Sequence, residues 1–300
     1  AIRMSSSFLQ YMPSQAPEAE TAEPVVPVMV TAEPTPEMSE TERELVKRLR
    51  TGRAALPVLP QVAESALRLA NDPDARIQDL AGLVDTDPPI AARFMSVANS
   101  VAYWRGLLTS STQSAIVRLG LANTRDLLFQ VVYAASSGGL KRYQSQVQRS
   151  FKRSVVAAVA ARTAARELEI ESEYDYMSGL LHDIGESRIF RILDGLPNRV
   201  TDTKLVNDLV RRYHTAAGAE VAMAWKLPTE IVDACAAHHD PQAVGVPHVR
   251  LVMIADAVVD ALDAGRSPNL ERFEALLVDV SVARRIIDLT KASATVSVRP

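Results

Sequence analysis

Gly179-Leu180-Leu181-His182-Asp183-Ile184-Gly185 carries a histidine and an aspartate side by side at the end of an apolar run, two residues before a glycine. The run reads as a helix entering His182 and a turn at Gly185, so two adjacent polar side chains turn toward one cavity. Further along stand His214 near an expected helix start, His238-His239 ahead of the stop at Asp240-Pro241, and Asp256. Four of the five histidines and two aspartates thus fall in one ordered set. Neutral imidazoles and ionised carboxylates are the donors that borderline or hard divalent cations take, and an aspartate between two metals can bridge them.

Outward from this stretch the pattern is helical from Ser39 onward. Ser39 and Thr41 each precede a glutamate by three residues, a capping-box start for a helix through Leu45 and Leu49 to Gly52. Pro57 and Pro60 punctuate Leu56-Pro57-Val58-Leu59-Pro60, after which Val62, Ala66, Leu69 and Ala70 recur at helical spacing. Ile77, Leu80, Ala81 and Val84 line the next helix, Asp87-Pro88 enters another, and Ser111-Thr112 caps one that stops at Gly120. The longest apolar helix is expected near 146–168. Others follow to about Leu193, then at 202–212, 214–225, 228–238, 247–263 and 268–293. Strand signals are nearly absent, so the fold class is all-α.

Residues 1–38 are a different material. Pro13, Pro17, Pro24, Pro27, Pro34 and Pro36 break any helix, and Thr-Ala-Glu-Pro recurs at 21–24 and 31–34. This composition predicts an extended tail or linker. Its apolar run Val25-Val26-Pro27-Val28-Met29-Val30 is suited to docking in a groove of the same chain or of a second copy. The whole chain has a net charge of −3, too small to imply nucleic acid or an anionic membrane as partner. Residues 1–44 hold eight Glu against Arg3 and Arg43, leaving the remainder slightly positive. Cys235, the single cysteine, cannot form an internal disulfide. No apolar run is long enough to span a bilayer, and the expected location is the cytoplasm. Phosphate loops, paired-cysteine zinc spacings and basic aromatic stripes are missing, which gives NTPase, zinc-finger and nucleic-acid readings no support.

Leu56-Pro57-Val58-Leu59-Pro60, Asp87-Pro88, Ala98-Asn99-Ser100 and Ala115-Ile116-Val117-Arg118-Leu119-Gly120 form an ordered series. With the stretch at 179–185 and Trp225-Lys226-Leu227-Pro228 before His238-His239, it resembles the HDOD domain, the HD-related output domain of bacterial signalling proteins. The resemblance covers roughly 50–265. It implies a multi-helix bundle over 39–300, with an HDOD-type part (39–140) packed on an HD-like core (141–300). It also implies a regulatory or scaffolding output. Catalytic HD-GYP relatives instead hydrolyse cyclic di-GMP at a centre of two or three metals. Carried over, the metal ligands are His182, Asp183 (bridging), His214, His238, His239 and Asp256. Three departures count against catalysis: Arg153 stands where the first histidine belongs, Glu186 replaces a lysine, and Asp240-Pro241 follows His239 without a Gly-Tyr-Pro segment.

An arginine cannot ligate a cation. If Arg153 points inward it lies beside Asp183 or Asp256, near a vestigial site; the other reading is a solvated basic face with Lys141, Arg142, Arg149 and Lys152. The six ligand candidates either hold an ion or satisfy one another by hydrogen bonds. The expectation is at most one divalent transition metal (Fe, Mn or Zn) per chain. The function expected is a non-catalytic signalling output acting on other signalling proteins, with a nucleotide or cyclic dinucleotide as a further ligand. The alternative is a metal-dependent phosphohydrolase acting on such a nucleotide. His248 is expected to be a cap or surface residue, and Asn99 and Ser100 to cap and bridge helices.

Overall fold

Ser39 accepts the Glu42 amide at 3.1 Å and opens α1 (Glu40–Thr51). Then come α2 (Ile77–Asp85) and α3 (Pro88–Ala98), the latter begun by Asp87, which accepts the Ile90 amide at 3.2 Å. Ser111 caps α4 (Thr112–Leu119) and Gly120 ends it at φ 79°, a conformation that lets α5 (Leu121–Ser136) leave at once in a new direction. The second half holds α6 (Gln144–Glu167), α7 (Asp175–Leu181), α8 (Ile184–Asp194), α9 (Thr203–Ala224), α10 (Thr229–Ala237), α11 (Pro247–Ala264), α12 (Leu270–Ala275) and α13 (Val280–Ser297). This computed structural model describes residues 37–51, 76–136, 142–197, 200–264 and 269–297, with Thr35, Ser65 and Leu140. No strand occurs among the described residues, and the all-α class stands. The apolar run 25–30 and the helix expected at 62–70 lie outside the described residues, apart from Ser65.

Three local expectations are corrected. Gly185 is not a turn; it is the second residue of α8. His214 does not start a helix. It lies inside the unbroken α9, where its Nδ1–H donates to the Val210 carbonyl at 3.0 Å and so tolerates the helix interior. The helix expected at 268–293 is two. The Val278 amide bonds back to Phe273, Leu277 adopts φ 60°, and Asp279 then accepts the Ser281 amide at 2.7 Å to begin α13.

The helices α2 to α5 enclose their own apolar cluster, including Leu80, Val84, Phe94, Ile116 and Leu128. In the second half α6 is central, and its buried Ala157, Ala158, Ala161 and Ala164 let α7, α11 and α13 come close. A Cβ on Gly179 of α7 would stand 2.7 Å from the Ala157 carbonyl oxygen, so that crossing requires glycine. Helix α1 is fastened on the far side of α8. Leu45, Val46 and Leu49 bury into the cluster of α8 and α9, Glu42 accepts from Arg212 and from Tyr213 (2.8 Å), and Arg188 donates to the Leu49 carbonyl at 3.1 Å. Asn99 has the structural role expected. Its side chain binds the Thr109 carbonyl (3.0 Å), amide (2.8 Å) and hydroxyl (2.9 Å), pinning the loop between α3 and α4.

Candidate metal centre

His182 and Asp183 occupy the elbow between α7 and α8, His182 closing one helix and Asp183 opening the next. His214 reaches the same point from the middle of α9 and His238 from the end of α10. One device orients all three imidazoles. His182 Nδ1 meets the Gly179 carbonyl at 2.8 Å, His214 Nδ1 that of Val210 at 3.0 Å, and His238 Nδ1 that of Ala234 at 2.8 Å. A carbonyl only accepts, so each Nδ1 carries hydrogen and each Nε2 is the atom turned inward.

The inward atoms converge. His214 Nε2 lies 3.3 Å from His238 Nε2, and Asp183 Oδ1 lies 3.5 Å and 3.4 Å from them. His182 Nε2 is 3.1 Å from Asp183 Oδ2. Two neutral imidazoles whose bare nitrogens face each other need a proton or a cation between them. Donors about 2.0–2.1 Å from a tetrahedral zinc stand about 3.3–3.4 Å from one another, so these spacings suit a divalent ion. Among the described residues His214, His238 and His239, or His182, Asp183 and His238, have the reach to hold one, and the Asp183, His214 and His238 atoms just given stand as close. They share His238, whose Nδ1 is already used, so its one free lone pair serves only one of them at a time.

The charges agree with a centre that wants a cation. Burial acts to raise the Asp183 pKa, yet the imidazoles of His182 and His238 win and hold it well below the carboxylate range. Burial alone would lower His182, but the Asp183 carboxylate raises it to about 9, so a proton fills the place of a positive ion there. Burial lowers His214. His239 stands at the solvent rim with its ring 4.3 Å from that of His238, and desolvation, with the neighbouring His238 and His214 imidazoles adding to it, lowers its pKa to about 4.

Asp256 belongs to none of these triads. It is buried on α11, and Arg272 of α12 donates to its Oδ2 at 2.8 Å while Arg153 NH2 stands 3.6 Å from Oδ1. Arg153 also binds Asp260 at 2.7 Å and Asp263. The solvated basic face is therefore wrong for Arg153, because α11 sets three carboxylates against it. Arg272, which also binds Asp260 at 2.6 Å, was not singled out from the sequence. Its signal lay in Asp256, Asp260 and Asp263, spaced four and three apart on one helix face. His248 is partly exposed, as expected, and pairs with Asp233 at 3.2 Å.

The fold and this histidine-aspartate elbow define an all-helical domain with a site able to take a metal. The HDOD domain family matches residues 56–241, and the chain belongs to it. An uncharacterized protein of Treponema pallidum is 24% identical over 233 residues, 71% of this chain and 44% of that protein. Ribonuclease Y of Thermus thermophilus is 29% identical over 161 residues, 54% of this chain and 24% of the enzyme. The chain thus spans less than half the length of these curated relatives. Among solved structures, a metal-dependent phosphohydrolase candidate from Shewanella amazonensis superposes with a TM-score of 0.69 at 22% identity, covering 86% of this chain and all of that one. An HDOD domain protein of unknown function from Geobacter sulfurreducens gives 0.61 at 23% identity, covering 85% and 95%. These likenesses support the fold. No helix among the described residues is long and apolar enough to cross a membrane.

Proposed function

We propose that this chain is a regulatory output of bacterial signalling, working in the cytoplasm through contacts with other signalling proteins, and that its histidine-aspartate elbow holds one divalent transition metal without turnover. The observation that carries the reading is Arg153. Its guanidinium lies beside Asp256, where catalytic relatives are expected to place a histidine, and with Arg272 it neutralises the carboxylate a second ion would need. A lone ion polarises a ligand but lacks the paired activation of water and leaving group. The organisation that goes with this reading is a tail over 1–38, a partner-facing part over 39–140 and the HD-like part over 141–300. The separate apolar cluster of α2 to α5 supports that division for residues 77–128, whereas α1 packs into the cluster of α8 and α9.

Elemental analysis of protein purified without chelator should give about one ion per chain. His238→Ala removes a donor common to all three triads and should weaken the metal by more than about 100-fold, since even supporting residues are worth 10–100-fold. His239→Ala and Asp183→Ala separate the triads, because the ion should be lost in one variant and kept in the other. Two tightly held ions in the unaltered protein would show that Arg153 does not block the second position. Arg153→His should raise the count toward two, because it exchanges a fixed charge for a ligand beside Asp256.

The alternative is a metal-dependent phosphohydrolase acting on a nucleotide or cyclic dinucleotide. It is favoured by donor spacings that suit a metal and by the likeness to the Shewanella and ribonuclease Y proteins. With manganese or iron supplied, cyclic di-GMP should survive as in buffer alone. Turnover that disappears in Asp183→Ala would replace the regulatory reading with this one.

A further inference from the structure

Among the described residues, more than half of the large apolar side chains left exposed belong to α4 and the loop before it. Val101, Trp104, Leu107 and Leu108 stand on the loop and Val117 on the helix, all 50–92% exposed. The loop is fastened. Arg118 of α4 donates to the Leu107 carbonyl at 2.6 Å and to the Ala98 carbonyl at 3.2 Å, and Asn99 pins Thr109. These side chains are therefore held in water by the fold, which marks an interaction surface. Val117 also lines a groove of about 510 Å³ with Arg105 and Arg118. The lining holds no carboxylate, and neither arginine makes an ion pair among the described residues. An occupant that suits this face is apolar in the middle and acidic at both ends.

The chain itself carries such a segment. Val25-Val26-Pro27-Val28-Met29-Val30 lies between Glu23 and Glu33, and no Lys or Arg stands between Arg3 and Arg43. Pro24 and Pro27 favour an extended backbone. Reach decides which copy supplies it. Met38 packs on the cluster of Tyr143 at the start of α6, while Asn123, just past the end of α4, accepts from Arg162 toward the other end of α6 at 3.2 Å. Tyr143 and Arg162 stand about 28 Å apart along the helix. The eight residues from Val30 to Met38 span at most about 29 Å when fully straight. Val30 would meet its own chain's groove only along a line through the molecule, whereas the groove of a second copy can come to it.

We infer that residues 23–33 of one copy dock in the groove of a second copy. The valines pack on Leu107, Leu108 and Val117, and Glu23 and Glu33 face Arg105 and Arg118. Exchange in both directions closes a two-fold dimer. The contact needs no metal and stands apart from the histidine-aspartate elbow.

Sedimentation of the full chain over a concentration series is the test. The unaltered protein should pass from monomer to dimer. Val117→Glu should weaken the dimer by more than about 100-fold, because a carboxylate would be buried without a partner. Val26→Glu together with Val28→Glu, in the tail, should do the same. Arg105→Glu should weaken it about tenfold by setting a like charge against the tail. Val117 and Arg105 are exposed, so the melting temperature of the monomer should not move. The deciding arm mixes the Val117→Glu chain with the tail variant. One intact tail and one intact groove remain in that mixture, so it should associate where neither variant does alone. An unaltered protein that stays monomeric would overturn the inference. A dimer that survives the tail changes, or a mixture that stays monomeric, would overturn it as well and point to groove against groove.

Discussion

Gly185→Ala is expected to weaken metal binding and to lower the melting temperature by about 10 °C, from a cost near 3 kcal/mol at about 2–4 °C per kcal/mol for a chain of this size. A Cβ at this position would lie 2.0 Å from the His214 carbonyl oxygen and 2.5 Å from the Gly218 amide nitrogen. Both obstacles are backbone, so no side chain can rotate away and α8 must part from α9. That separation carries Asp183 away from His214 and opens the 3.5 Å contact between them. Gly82→Ala is the control. Its Cβ meets nothing within 4 Å, and an alanine inside α2 should stabilise slightly. Thermal melts and metal analysis of the pair decide the point; a Gly185→Ala protein that melts normally and keeps its ion would remove the close α8–α9 contact from the argument.

Arg188→Met should destabilise by about 3–5 kcal/mol, the usual cost of breaking a buried ion pair from one side. Arg188 is 1% exposed on α8, ion-paired with Glu220 of α9 and bonded to the Leu49 carbonyl of α1. Methionine keeps the length of the stem and deletes the charge, which leaves the Glu220 carboxylate, with a side chain only 14% exposed, short of its main counter-charge. The double change Arg188→Met with Glu220→Met should recover most of the loss, since no uncompensated buried charge remains. Faster amide exchange in residues 40–51 should accompany the single variant, because α1 loses its tie through Leu49. If the double variant is no more stable than the single one, the charge pair is not the source of the loss.

Much of the site was readable as text. His182-Asp183, His214 and His238-His239 stand out because histidine is rare in this chain and each lies where a helix ends or a small residue follows. The helix positions followed from capping residues such as Ser39, Asp87 and Ser111, whose hydrogen bonds reach only three residues along the chain. Gly185 was misplaced because glycine marks both turns and close helix crossings, and only the neighbouring helix tells them apart. The break at Leu277 was missed for a related reason: a leucine in a left-handed conformation carries no local signal, and the bonds that hold it return to Phe273 and Glu274.

What the sequence by itself determined is the all-α class, the HDOD kinship and the identity of the candidate ligands, because periodicity, capping and motif order are properties of neighbours in the chain. Which of those candidates stand together in space was visible only in the tertiary structure. Asp256 stands outside the triads, and Arg153, 103 residues before it, and Arg272, across the turn into α12, meet its carboxylate. Charges interact through distance and not through order along the chain, so the partner that silences a ligand appears only when the helices are packed.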